Sequence, residues 1–239
     1  MRSVTSGRRV SWERENMDMP LYESLLTTRA MRRFSDEPVD RVDIEACLRA
    51  AVQAPSGGNI QPWQFVVVDD AAIRHDLAVL YQRCYNRYQK AMLPIVAPAR
   101  TPEDGASFAR TVAAAQHLAD HFAEVPVIVA VCVAGIDLTL TDEDGPLDIG
   151  SVLGSVFPAI QNFILAARSR GLGTSLTTVH RIEQQACRDI LGVPERQQIV
   201  ALLPVGHPVG RWGVARRRPA EAVTSWNRWG ERHPFAPVE

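Results

Sequence analysis

Several chemistries have no foothold in this sequence. Only four cysteines occur among 239 residues. Cys47, Cys84, Cys132 and Cys187 are far apart and form no CxxC, so neither a zinc site nor a dithiol pair has a motif. Scattered cysteines inside apolar patterns favour a reducing, cytosolic setting. The longest apolar run, 125–135, falls well short of the roughly 20 residues a membrane helix requires. The amino-terminal MRSVTSGRRVSWEREN is polar and lacks the apolar centre of a signal peptide. A formal net charge of −1 argues against a general grip on nucleic acid or anionic lipid. The expectation is a soluble, cytoplasmic protein that binds neither nucleic acid nor membrane.

Catalytic motifs are equally sparse. His117 and His121 are four apart, but HLADH lacks the glutamate of HExxH and no third ligand has suitable spacing, so no metal site is expected. GxSxG is absent, and the serines of GSVLGS fall in a helical pattern rather than at a strand-to-helix elbow. GLGTSL has two glycines of the dinucleotide fingerprint, with Leu176 in place of the third. It also follows a helix and enters a strand, the reverse of the fingerprint's context, which excludes a Rossmann site.

What is present is an ordinary globular balance, 46% apolar and 22% charged residues, enough to bury a sizeable core. Residues 1–18 have no apolar period and read as a loose tail. Helical periodicity starts at Pro20. It is stronger after Asp40, a candidate cap, where Ile44, Leu48, Ala51 and Val52 share a face that Pro55 should end. QFVVVDD is a continuous β-branched run, the pattern of a strand buried on both faces. A helix carrying Tyr81, Tyr85 and Tyr88 follows, then a proline-rich stretch, LPIVAPARTPEDGAS, expected to be a long irregular connection. The tyrosines suit either an aromatic ligand or a core. A helix over 108–123, the strand VPVIVAVCV, and a long apolar helix closed by Gly171 come next. The strand LGTSLTT, the helix RIEQQACRDILGV and the strand QIVALLPVGHP complete the pattern. The whole reads as one α+β domain over 19–239, its few buried strands sandwiched by helices, with 210–239 as an aromatic-studded arm.

Two features ask for an occupant. QAPSGGNIQPW places a bare glycine loop at the mouth of the first core strand. RAMRR (Arg29, Arg32, Arg33) and ARRRP (Arg216, Arg217, Arg218) are arginine clusters, and arginine forks well onto phosphate oxygens. Together these features suit a phosphorylated, planar ligand.

The order of TTRAMRRFSDEPV, APSGGNIQPWQFVVV, AIQNFILAARSRGLGT, ILGVPERQQIVALLPVGHP and RRRPAEAVTSWNRWG resembles the FMN-dependent nitroreductase family, over about 22–230. The resemblance implies a three-layer α+β fold, a central mixed β-sheet flanked by helices, and an intertwined homodimer with FMN at the subunit interface. It implies that Arg29, Ala30 and Arg32, with Arg33 adjoining, hold the phosphate and ribityl chain. Pro55, Ser56, Gly57, Gly58 and Asn59 would form the loop that the partner subunit lays against the flavin ring. Glycines there let backbone approach a flat ring that a Cβ would obstruct. Leu176, Thr177 and Thr178 would run beside the ring, with backbone or hydroxyl donors toward N5 and O4. Arg217, with Arg216 as alternate, matches the late phosphate-binding arginine. Gly154 and Ser155 stand where many relatives carry a glutamate-glycine pair, so the group donating to N5 is open.

The implied activity is ping-pong hydride transfer from NADH or NADPH through FMN to a nitroaromatic, quinone or similar small acceptor, with no obligatory catalytic acid or base. No ribose-phosphate motif chooses the nucleotide. Reductive dehalogenation of a halophenol, as in deiodinase relatives, and non-catalytic FMN storage or redox sensing are the alternatives. Oxygen-dependent flavin fragmentation, as in cobalamin-pathway relatives, has no matching signature.

Overall fold

The computed structural model describes residues 19–96, 102–135, 140–147 and 150–236. The tail read at 1–18 lies outside the described residues. Helices α1 (Leu21–Thr27) and α2 (Arg41–Ala51) precede strand β1 (Trp63–Val68). Helices α3 (Ala71–Val96) and α4 (Pro102–Asp120) lead to β2 (Val127–Ala134) and the small hairpin β3 (Leu140–Asp142) and β4 (Gly145–Leu147). Helix α5 (Leu153–Ser169), β5 (Gly173–Thr174), α6 (Gln184–Leu191) and β6 (Gln197–Gly206) follow.

The main sheet has the order β1-β2-β6-β5, every ladder antiparallel. Its parallel component is one bridge, Ala30 to Thr174. Strand alternation sends Val127, Val129, Val131 and Val133 to one face, where Ile44 and Cys47 of α2 and Val156, Ile160 and Phe163 of α5 cover them. Ile128, Ala130 and Cys132 face the other way, onto Leu77, Leu80 and Cys84 of α3, Leu118 of α4 and Cys187 of α6. Two cores therefore share one thin sheet. All four cysteines are buried and unpaired with one another, and desolvation pushes Cys47 and Cys187 up to about 12 and Cys132 up to about 11. They are packing groups, not nucleophiles.

Several local expectations change. β1 is an edge strand, so Val67 is exposed and only Trp63 and Val68 are buried. A β-branched run marks strand but does not say how many neighbours it has. α2 stops at Ala51, ahead of Pro55, and Val52 is exposed. Asp40 supplies its carbonyl to Asp43 and Ile44 without a side-chain cap. Of the stretch read as irregular, 97–101 lie outside the described residues and the rest is helical: α3 carries Pro94 inside it, and α4 opens on Pro102, where the missing N–H costs nothing. LGTSLTT contributes only a two-residue strand and a bridge from Thr177 to Leu202. Gly171, at φ +76, closes α5 as expected, with Gly171 N–H on the Arg168 carbonyl and Leu172 N–H on that of Ala167.

Candidate functional site

Backbone pairing brings two distant segments together. The Met31 N–H donates to the Thr174 carbonyl at 2.8 Å, and the Ser35 N–H to that of His207 at 2.9 Å. This close approach is why Gly173 has no side chain: a Cβ there would lie 2.9 Å from Met31 Cβ and 3.0 Å from Pro208 Cβ. Just beyond, Thr177 exchanges both backbone bonds with Leu202, at 3.0 and 2.9 Å. The RAMRR segment and Leu176–Thr178 thus flank the end of β5.

A cavity of about 520 Å³ opens beside them, within the usual range for small-molecule sites. Its inner wall is Arg32 with Ser175, Leu176, Thr177 and Thr178. Its outer wall is aromatic: Tyr81, Tyr85 and Tyr88 along α3 and Phe108 on α4, with Gln89, Met92, Leu93 and Thr111 between. Tyr81 stacks on Phe122, ring centres 4.1 Å apart, and lies nearly parallel to Tyr85 at 6.4 Å. These tyrosines do both things the sequence allowed, packing into the core and lining a cavity. Burial pushes the Tyr81 and Tyr85 phenols up, although the Arg32 charge opposes it, so both are neutral hydroxyls.

Thr177 is committed to partners within the chain. Its backbone groups belong to Leu202 and its hydroxyl meets that of Tyr81 at 3.1 Å. It has no backbone donor left for a ligand, because the bridge that fixes the segment consumes it.

His180, which no motif singled out, anchors this wall. β6 bulges at Val200, since Val131 faces Ala201 while Cys132 faces Ile199. The Ile199 carbonyl accepts from His180 Nε2 at 2.9 Å, which fixes the proton on that nitrogen. Burial lowers the ring to about 4, so it is neutral.

The 55–59 loop lies elsewhere, between α2 and β1, and does not line the cavity. Its backbone is held by small side chains: Gly57 N–H donates to Ser155 Oγ at 3.1 Å, and Gln61 N–H to Ser56 Oγ at 3.1 Å. Gly58 and Asn59 both sit at φ +56. Pro55, Gly57, Gly58 and Asn59 are exposed. Ser155, in the first turn of α5, belongs to this loop and not to the cavity. Arg29, Ala30 and Arg33 are exposed. Arg216 and Arg217 are exposed on the arm, whose start is held by Trp212 under the Arg168 guanidinium at 4.2 Å. Among the described residues, none of these five arginines (Arg29, Arg32, Arg33, Arg216, Arg217) is paired with a carboxylate. His117 of α4 and His121, just past its end, stack at 4.0 Å, and no group of three or more metal-ligating side chains converges among the described residues. Nor is any described helix long and apolar enough to cross a membrane.

The family model described as "Nitroreductase family" matches residues 25–207. The chain belongs to the nitroreductase family. A 5,6-dimethylbenzimidazole synthase of Rhodospirillum rubrum is 32% identical over 82% of the chain and 89% of its own length. An iodotyrosine deiodinase of Drosophila melanogaster is 27% identical over 79% of the chain and 62% of its own length. The structure of NfnB, an FMN and NADPH-dependent nitroreductase from sphigopyxis sp. strain HMH, matches with a TM-score of 0.65 at 22% identity, covering 88% of this chain and all of that one. The chain is thus similar to proteins of three named activities, and the fold alone does not choose among them.

Proposed function

We propose that this nitroreductase family member is an FMN-dependent oxidoreductase passing hydride from NADH or NADPH to a planar aromatic acceptor, a nitroarene or quinone. One observation carries the reading: a cavity walled by three tyrosines and Phe108 opens directly on Arg32 and Leu176–Thr178, where the resemblance puts the flavin. An enzyme acting on its flavin alone has no need of an aromatic room for a second molecule.

The residues fit FMN. Arg32 is half-buried in the cavity wall, and Arg29, Arg33, Arg216 and Arg217 offer forked donors with no competing carboxylate. A Cβ built on Gly57 would meet nothing within 4 Å, so the chain's own packing does not require a glycine there. A flat ligand would. When bound, FMN supplies hydride transfer, accepting two electrons and a proton from the nicotinamide and delivering them to the acceptor. Arg32 places a cation in the wall that offsets the negative charge reduction brings. The tyrosines exclude water and stack on the acceptor.

The loop of 55–59 with Ser155 and the cavity are two separate walls on one chain. This supports an FMN site completed by a second copy, the loop of one subunit closing the cavity of the other. Leu21, Tyr22, Leu25 and Leu26 of α1 and Phe157 of α5 are exposed apolar groups that such a homodimer would cover. Residues 19–239 form one domain in this reading, and buried, unpaired cysteines suit the cytoplasm.

The test is the visible spectrum of the purified protein, then anaerobic NADPH and, separately, NADH. Flavin bands that bleach and return with a quinone or nitroarene support the reading and name the donor. A yellow protein that neither nucleotide bleaches supports storage or sensing. The 32% identity to the benzimidazole synthase favours one second reading, destruction of the flavin itself, marked by irreversible loss of colour on reduction in air.

A further inference from the structure

Reducing a quinone or nitro group takes more than hydride. Hydride brings two electrons and one proton, and a second proton must reach the acceptor oxygen from elsewhere. The cavity contains a hydroxyl pair built for this. Tyr81 Oη and Thr177 Oγ1 lie 3.1 Å apart although 96 residues separate them in the chain. Neither group is loose. The Tyr81 ring is stacked on Phe122 at 4.1 Å with 14° between planes, and Thr177 is clamped on both backbone sides by Leu202.

Two hydroxyls carry two protons, and the hydrogen bond between them uses one. Among the described residues neither oxygen has another partner, so one O–H is uncommitted. Both residues line the cavity, so either orientation of the pair leaves that proton on its wall. Other hydroxyls there differ. Thr111 donates to the Ser107 carbonyl at 3.1 Å, and Tyr85 faces that of Val112 at 3.4 Å. Among the described residues the Ser175 and Thr178 hydroxyls have no hydroxyl partner, and each would have to ionise to give a proton up. A coupled pair need not, because the second hydroxyl refills the first.

We propose that the Tyr81–Thr177 pair is the proton relay of the cavity, delivering the proton that accompanies hydride transfer to a quinone or nitro oxygen. The proposal rests on the reductase reading above. With a quinone, the hydroxyl O–H breaks as a new O–H forms on the acceptor oxygen, and the product is the neutral hydroquinone. The partner hydroxyl passes its own proton to the vacated oxygen and takes one from water at the cavity mouth. With a nitroarene the same proton and the hydride release one oxygen as water and leave the nitroso compound. Electrons and atoms balance in both cases.

The test uses the FMN-loaded protein, reduced by its nicotinamide and mixed rapidly with menadione or with ferricyanide, which takes single electrons and no proton. Tyr81→Phe keeps the ring and Thr177→Val keeps the shape, while each removes one hydroxyl. The ratio of menadione to ferricyanide rates should fall about 100-fold in either variant, the scale of general acid catalysis. The double variant should be no worse than the singles, because one broken link disables a relay, and Thr177→Ser should restore the ratio. A merely structural role lowers both rates together and leaves the ratio unchanged, which would overturn the relay. So would an equal fall in Ser175→Ala, which transfers the role to a single hydroxyl. A wild-type protein that holds no flavin, or whose reduced flavin neither acceptor reoxidises, would instead overturn the reductase reading.

Discussion

Gly57 and Gly58 are neighbours with different reasons to be glycine, and replacing each by alanine separates a ligand's requirement from the chain's own. Gly58 sits at φ +56, where a Cβ costs roughly 1–2 kcal/mol whatever the space around it. Its Cβ would meet only Ile60 Cγ2, at 3.8 Å, so the cost is purely conformational. Gly57 has no such excuse: its φ lies outside the left-handed region and a Cβ there meets nothing within 4 Å. For the apo chain, Gly57→Ala should therefore be neutral or stabilise by about 0.4–1 kcal/mol, through the reduced freedom of the unfolded state. FMN reverses the ranking. A methyl pressed against the flavin ring costs roughly 1–3 kcal/mol, as overpacking does, which is about 5- to 150-fold in Kd. Urea unfolding of the apo proteins and titration by flavin fluorescence quenching measure both sides. Gly57→Ala with wild-type FMN affinity would refute the assignment of this loop as a flavin wall. An apo protein destabilised by Gly57→Ala would refute the reading of its local packing.

Other consequences are as direct. His180 is neutral when folded, with its pKa near 4 against an ordinary 6.5, so the unfolded chain binds the extra proton between those values. Its contribution is full above about pH 6.5 and fades as pH falls toward 4, by about 3 kcal/mol. The urea midpoint should fall more between pH 7 and 4.5 in wild type than in His180→Gln, and parallel falls would refute this. Gly173→Ala should lose about 1–3 kcal/mol and weaken FMN binding, because Met31 and Pro208 must move off a Cβ only 2.9–3.0 Å away; unchanged thermal stability would refute that. Arg217→Ala with Arg216→Ala should weaken FMN about tenfold, the worth of a charge-assisted phosphate contact, and leave riboflavin affinity alone. Equal losses for both flavins would remove the arm from the phosphate site.

The elements were largely legible because their signals are local. Gly171 closes α5 through two backbone bonds that only its own neighbours provide, and β2 is buried from Val127 to Val133. Burial of β1 is not legible because being an edge strand depends on partners far away in the chain, and nothing in QFVVVDD states how many it has. Pro94 and Pro102 suggested a loop, yet a helix tolerates proline near its end and in its first turn. The site was legible in part. RAMRR and LTT are separate signals in the sequence, and their meeting depends on the Met31–Thr174 bond and on Gly173, a glycine whose sequence context resembles half of a dinucleotide motif. The pairings of Tyr81 with Thr177 and of His180 with Ile199 are not legible in the sequence, because packing alone brings each pair together.

The cavity's two walls are also held by different means, and this bears on how one fold carries several chemistries. The inner wall is positioned by backbone hydrogen bonds, Met31 to Thr174 and Thr177 to Leu202. Side-chain substitution away from Gly173 leaves such bonds intact, so the geometry of this wall survives changes of sequence. The outer wall consists of side chains projecting from α3 and α4: Tyr85, Tyr88, Gln89, Met92, Phe108 and Thr111. Those helices pair with no strand, and Tyr88, Gln89 and Met92, which lie outside the buried core, can change without disturbing the sheet. Choice of acceptor is thus separable from possession of a flavin site. Exchanging Tyr88, Gln89 and Met92 should alter which aromatic acceptor is reduced while the rate of flavin reduction by the nicotinamide changes little. A parallel loss of both half-reactions would show that the two walls are coupled after all.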